Sequence, residues 1–263
     1  YSTPALTWQC GLKTTGIELE LISDYEMLLM IESGIRGGFS GILGDRYVKA
    51  NNKHVSNYDF TKDTNYLGYF DANNLYGHAM IQPLPVKEFE WCEVEAETPE
   101  KVKEMLKGVY DTEEDYGYIL EVDIKMPNNV KFKTSRLPMF PVKRKVDYEE
   151  LSDYQKGLKN KKDYIQSEKL VLDLYNKKNY VIHYKLLEKF IKLGAVVTKI
   201  HRGISFFQAP WLKDSIYFNT NMRTKATTPF EKDIWKLMNN SFYGKTVENI
   251  RDRYNVNMIN DKD

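Results

Sequence analysis

Apolar and charged positions alternate most cleanly over Ile119 to Met126, where one face carries Glu121, Asp123 and Lys125. That period of two predicts a strand with a polar side. Tyr184 to Leu193 has a different rhythm, with Leu186, Leu187, Phe190 and Ile191 at helical spacing before Gly194, a good terminator. Val196 to Ile200 reads as the next strand. Upstream, Ile17, Leu21, Leu28 and Ile31 sit among charged residues and predict one or two short helices over Gly16 to Glu32, with Ser23-Asp24 as a cap between them. Tyr66 to Phe70 reads as a short buried strand. Leu75 to Ile81 follows as a helix halted at Pro83 and Pro85.

The last long element has the clearest start. Thr228, Pro229 and Glu231 form a capping box with proline at the first helical position, so a helix is expected from about Pro229. Ile234, Leu237, Met238 and Phe242 make its apolar stripe, while Lys232, Lys236, Asn240 and Tyr243 share another face. Tyr254 to Asn260 reads as a further strand. Helices and strands occur without regular βαβ alternation, which points to an α+β layout.

Bulk properties change this picture little. The chain has 263 residues, 42% hydrophobic and 29% charged, enough for one large domain or two small ones. Mean hydropathy is -0.56, and no apolar run approaches membrane-spanning length. No signal-peptide layout opens the chain, and Cys10 and Cys92 have no metal-ligand spacing, so an intracellular, reducing setting without a structural disulfide is expected. Formal net charge is +1, so any nucleic-acid surface would have to be local. Basic clusters occur at Lys143-Arg144-Lys145 and over Lys156 to Lys162; solvated surface is the plain reading of both.

Two constellations carry chemistry. Asp71 ends the expected strand and leads directly into a helix, a rigid place for a carboxylate that could ligate a hard cation or simply cap the helix. Lys236, with Asn240 one turn on and Tyr243-Gly244 beyond, could grip a triphosphate by charge while the aromatic and glycine admit a flat base pair. The glycines in Gly34-Ile35-Arg36-Gly37-Gly38-Phe39 permit unusual backbone angles or close backbone approach.

As an ordered set these segments resemble family B DNA polymerases. Asp71-Ala72-Asn73-Asn74-Leu75-Tyr76-Gly77 is similar to motif A, D-x-x-S-L-Y-P. Lys236-Leu237-Met238-Asn239-Asn240-Ser241-Phe242-Tyr243-Gly244-Lys245 is similar to motif B, K-L-x-x-N-S-x-Y-G. Ile35 to Phe39 resembles the upstream Y-x-G-G motif. The K-L-M-x-N-S start, Lys245, and the segment around Ala50-Asn51-Asn52 are closest to protein-primed members encoded by large self-synthesising transposons, linear plasmids and viruses.

The resemblance implies a palm, with an antiparallel sheet and flanking helices, plus helical fingers. Residues 1–82 would be palm with motif A, 83–205 an insertion like a terminal-protein region, 206–250 fingers, and 251–263 a returning palm strand. It implies template-dependent transfer of dNTPs with two Mg²⁺ ions, on template-primer DNA, with a priming terminal protein as a further partner. Asp71 and the Ala72 carbonyl would hold metal. Asn74, Leu75, Tyr76, Lys236, Asn240, Tyr243 and Gly244 would form the nucleotide pocket, Tyr76 rejecting a 2′-hydroxyl. Arg223, Lys225 and Lys232 compete for a further phosphate contact. Arg36, Gly37, Gly38, Ser241 and Lys245 would contact DNA. Localisation would follow the element, nuclear for a transposon and mitochondrial for a plasmid.

The departures matter. Ile35 stands where tyrosine is usual, and Asn74 and Gly77 replace serine and proline, which suggests a looser start to the motif A helix. No Tyr-x-Asp-Thr-Asp motif and no exonuclease acidic motif occurs in the 263 residues. The internal pair Glu121 and Asp123 reads as a solvated strand face. The chain is therefore expected to be a fragment of a longer reading frame and inactive alone. The alternative is a catalytically dead, nucleic-acid-binding transposon remnant.

Overall fold

Strand alternation and helix caps both materialise in the computed structural model, which describes residues 2–41, 47–111, 115–158, 160–249, 251, 254 and 256. In chain order the elements begin α1 (Thr3–Thr15), α2 (Tyr25–Gly34), α3 (Leu75–Met80), β1 (Leu84–Cys92), α4 (Pro99–Tyr110), β2 (Tyr116–Lys125) and α5 (Asn128–Thr134). They continue through β3 (Val142–Lys145), α6 (Asp153–Leu158), β4 (Glu168–Val171), β5 (Lys177–His183), α7 (Tyr184–Lys192), β6 (Val196–Ala209), α8 (Lys213–Lys225) and α9 (Pro229–Thr246). The chain forms two compact units: 1–20, 72–87 and 208–263 in the first, 21–71 and 88–207 in the second. No described helix is long and apolar enough to cross a membrane.

The second unit is built on a four-stranded sheet of order β1-β6-β2-β5, with β2 antiparallel to both β5 and β6. Alternation along β2 sends Leu120, Val122 and Ile124 to one face, where all three are almost wholly buried. There they meet Val102 and Val109 of α4, Val130 of α5 and Leu187 of α7. Ile119 points the other way and packs with Val181, Ile204, Met27 and Met30, so α2 covers the opposite face. Burying side chains of this size contributes roughly 1.5–3 kcal/mol each. This is the expected α+β architecture, an antiparallel sheet flanked by helices.

The cap expected at Asp24 is present: its Oδ1 accepts from Met27 N at 3.1 Å and starts α2. Residues 16–24, expected to share in helix, are instead irregular. Gly34 is where the glycine cluster makes a close approach, since a Cβ there would lie 2.9 Å from Val181 Cγ1 on β5. Arg36 then folds onto the sheet. Its Nη1 donates to Val181 O at 2.9 Å and Gly34 O at 3.1 Å, and its guanidinium stacks 3.9 Å from the Tyr180 ring centroid. Gly37 and Gly38 lie in open space and do not adopt left-handed backbone.

Two expectations require correction. Tyr66 to Phe70 forms no strand and is exposed, with Tyr69 and Phe70 more than nine-tenths exposed; no described strand pairs with it. Glu121 and Asp123 are not a solvated face. Glu121 accepts from Arg202 Nε at 2.5 Å and Asn179 Nδ2 at 3.0 Å, and Asp123 meets Asn179 N at 2.8 Å and His201 Nε2 at 2.9 Å. Burial acts to raise the Asp123 pKa, but the hydrogen bonds from His201 and Asn179 win and hold it below the usual range. The basic cluster on β3 does stay at the surface, with Lys143 and Lys145 exposed and Arg144 forming a two-pronged pair with Glu150 at 2.8 Å and a bond to Asp173 at 3.4 Å. The strand expected over Tyr254 to Asn260 falls largely outside the described residues.

His183 ends β5 with its ring centroid 4.8 Å from Tyr184 and 6.2 Å from Phe206. Burial, helped by nearby Lys185, pushes its pKa from 6.5 down to about 4. Between those values the unfolded chain takes up the proton and the folded chain does not, so stability falls as pH drops through that window. His183→Phe keeps the ring packing and removes the titration. Urea midpoints should therefore drop less for the variant than for the parent between about pH 7 and about pH 4. Equal drops would refute the assignment.

Candidate nucleotide-binding cleft

In the first unit, α1, α3, α8 and α9 pack around Phe242. Its ring lies 5.0 Å from Trp8 and 6.0 Å from Trp211, over a core of Met80, Leu212 and Ile216. A Cβ on Gly11 of α1 would come within 2.3 Å of that ring. The helix α9 starts as expected: Thr228 Oγ1 accepts from Glu231 N at 3.2 Å while Glu231 Oε2 accepts from Thr228 N at 3.3 Å. Its buried side differs from the expected stripe. Asn239, Ser241 and Phe242 are buried, whereas Ile234 and Leu237 are exposed. The helix is turned by the demand of Phe242 for the core, which leaves Lys236 and Asn240 outward.

Those two line a cleft of about 380 Å³ together with Asn73, Asn74, Leu75 and Tyr76 from the start of α3. Thr220 and Arg223 of α8 and Asn239 of α9 complete its wall. No carboxylate lines it, so two cations set its field, and an anion is the ligand it suits. Tyr76 stacks on Tyr243 with centroids 4.4 Å apart and planes 30° from parallel. Asn219 Nδ2 donates to Asn239 Oδ1 at 2.9 Å and ties α8 to α9.

The candidates thus separate. Asn74, Leu75, Tyr76, Arg223, Lys236 and Asn240 converge on one cleft, with Tyr243 stacked at Tyr76; Lys225 and Lys232 are exposed but do not line it. Gly244 is exposed with open space over its Cα. Ser241 is buried in the helix packing and Lys245 is ion-paired with Glu248, so neither offers DNA the side chain expected of it. Thr220 and Asn239 were missed. No apolar periodicity had marked α8, and Asn239 falls at an unspecified position of the motif; its spacing of three from Lys236 was the available signal.

Asp71 is exposed at the end of the second unit's extended segment, and Ala72 opens the next stretch of the first unit. A divalent-metal centre needs several oxygen donors. Among the described residues no group of three or more His, Cys, Asp or Glu side chains is gathered. A single carboxylate does not amount to such a centre.

The two departures at motif A prove to be one device. Asn74 adopts a left-handed backbone (φ 56°, ψ 41°), which asparagine tolerates better than most residues. Its amide lies against Gly77, where a Cβ would come within 2.4 Å of Nδ2. The helix start is therefore tightly packed and not loose. Gly77→Ala should cost roughly 1–3 kcal/mol by overpacking. Much of that loss should vanish in an Asn74→Gly background, which chemical denaturation of the four variants will read; additive losses would contradict the pairing.

No family model matches the chain, and no curated protein matches it. Solved structures do. The chain is similar to phi29 DNA polymerase in an orthorhombic crystal form, with TM-score 0.55 and 16% identity, covering 94% of this chain and 36% of that one. It is also similar to the phi29 enzyme complexed with primer-template DNA and incoming nucleotide (0.52, 17%, 92% and 36%) and with primer-template DNA alone (0.51, 17%, 92% and 35%). The chain thus spans about a third of those polymerases, and what it shares with them is the fold.

Proposed function

We propose that this chain is palm and fingers of a DNA-directed DNA polymerase, and that the cleft takes an incoming deoxynucleoside triphosphate. The observation that carries the reading is convergence: residues 74–76 and Lys236 with Asn240, remote in sequence, line one cation-edged cleft. The polymerase-like fold supports it.

In this reading Lys236 and Arg223 neutralise the triphosphate, lysine as a point charge and arginine as a planar fork able to hold two oxygens. The Tyr76–Tyr243 stack supports the sugar, and its rigidity denies room to a 2′-hydroxyl. Asn240 and Gly244 shape the base-pair pocket, the glycine offering a flat backbone approach. Gly37 and Gly38 border the template. Asp71 contributes one carboxylate, and the Ala72 carbonyl a further oxygen, toward two Mg²⁺ ions. Bound there, such ions would stabilise charge at the transferred phosphoryl group. The described residues do not by themselves assemble that centre. Protein priming rests on the K-L-M-x-N-S start and the long 83–205 insertion, which would meet the priming protein. One other reading is a remnant that binds nucleotide and DNA without turnover.

Calorimetric titration with dATP tests the cleft. Lys236→Ala and Arg223→Ala should each weaken binding about tenfold or more, the worth of a charge-assisted contact. Lys225→Ala and Lys232→Ala should change nothing. Four equal responses would remove the cleft from consideration. In the longest active form of the protein, Asp71→Ala should abolish primer extension while duplex binding survives. Nucleotide binding with no extension by any form would establish the remnant.

A further inference from the structure

Asn239 contributes to the cleft wall, yet no motif position requires an amide there. It is only 6% exposed, a setting in which leucine would pack without leaving any polar group to satisfy. The one hydrogen bond of its side chain among the described residues is the 2.9 Å bond that Oδ1 accepts from Asn219 Nδ2. An asparagine amide has an accepting end and a donating end. With Oδ1 turned to α8, the end left for the cleft is Nδ2, carrying two protons.

Arg223 lies four residues after Asn219 on α8, and Lys236 three before Asn239 on α9. Both cations therefore stand one turn along from the amide pair on the same helical faces. A donor between two cations suits a phosphate. The opposite amide orientation would turn a carbonyl oxygen on that anion.

We propose that Asn239 is a further phosphate contact for the incoming nucleotide, with Asn219 a positioning residue that locks its amide as a donor. The inference rests on the nucleotide reading of the cleft. It goes beyond it by naming one residue at an unspecified motif position, one outside the motifs, and the polarity that the second imposes on the first.

Titration of the full chain with dATP, and separately with inorganic triphosphate, tests this. Asn239→Leu fills the space but donates nothing, and should weaken both ligands about tenfold. Asn239→Gln packs worse but keeps an amide, and should bind both more tightly than the leucine variant although it melts lower. A merely structural role predicts the reverse ranking, affinity following stability. Asn219→Leu frees the amide to turn and should weaken binding severalfold. Adding it to Asn239→Leu should cost nothing more, because Asn219 acts through Asn239.

Lys236→Ala separates the two levels of the argument. If it weakens dATP while Asn239→Leu binds like the parent, this inference is overturned and the nucleotide reading stands. If the parent binds no dATP, or Lys236→Ala has no effect, both fall. A loss with dATP but not with inorganic triphosphate also overturns the phosphate assignment. Should Asn239→Leu fail to fold, the glutamine variant and Asn219→Leu carry the same decision.

Discussion

The first unit depends on where the Phe242 ring goes. An aromatic side chain of this size dominates the energetics of a small helical core, and Trp8 and Trp211 close around it with Met80, Leu212 and Ile216. A helix has one phase. Once Phe242 is seated, every other residue of α9 is assigned its direction. Asn239 and Ser241 go inward, and Lys236 and Asn240 face the cleft. Gly11 lets α1 come close enough to complete the enclosure, since even a methyl there would strike the ring. The cleft-lining face of α9 is thus a by-product of satisfying its apolar one.

The same logic explains why the cleft is rigid in one place and open in another. The αL turn at Asn74, the stack of Tyr76 on Tyr243 and the Asn219–Asn239 bond each fix a short-range relation between elements. Arg223 and Lys236 stay exposed, where water keeps their charges solvated. Preorganised neutral groups holding mobile charges nearby is a sound arrangement for binding an anion that must also leave.

The second unit solves a different problem. Its sheet carries a polar cluster on the face shared with α2, where Glu121, Asp123, Asn179, His201 and Arg202 satisfy one another. Only Glu121 among them is buried; the others are partly or fully exposed, and each has a partner. The exposed segment at 66–70 is the opposite case, apolar side chains with nothing described against them. The fold is thus carried by conventional packing, while Asp71 lies in an exposed stretch.

By itself, the sequence determined the elements with local causes. The capping box at Thr228, the Asp24 cap, the helix ending at Gly194 and the alternation of β2 all depend on residues a few positions apart, and all are present. The motif spacing likewise pointed to Asn74–Tyr76 and Lys236–Asn240 as a pair. The tertiary structure alone decided what depends on distant partners. The phase of α9 follows from Trp8 and Trp211, not from its own stripe. Among three competing cations, only Arg223 reaches the cleft, because α8, which has no clear amphipathic signature, sets its direction. The same holds for Arg36, whose commitment to Val181 O joins residues far apart in sequence. Asn239 was hidden for that reason too: an amide's orientation is set by the residue that binds its other end, and Asn219 lies on another helix.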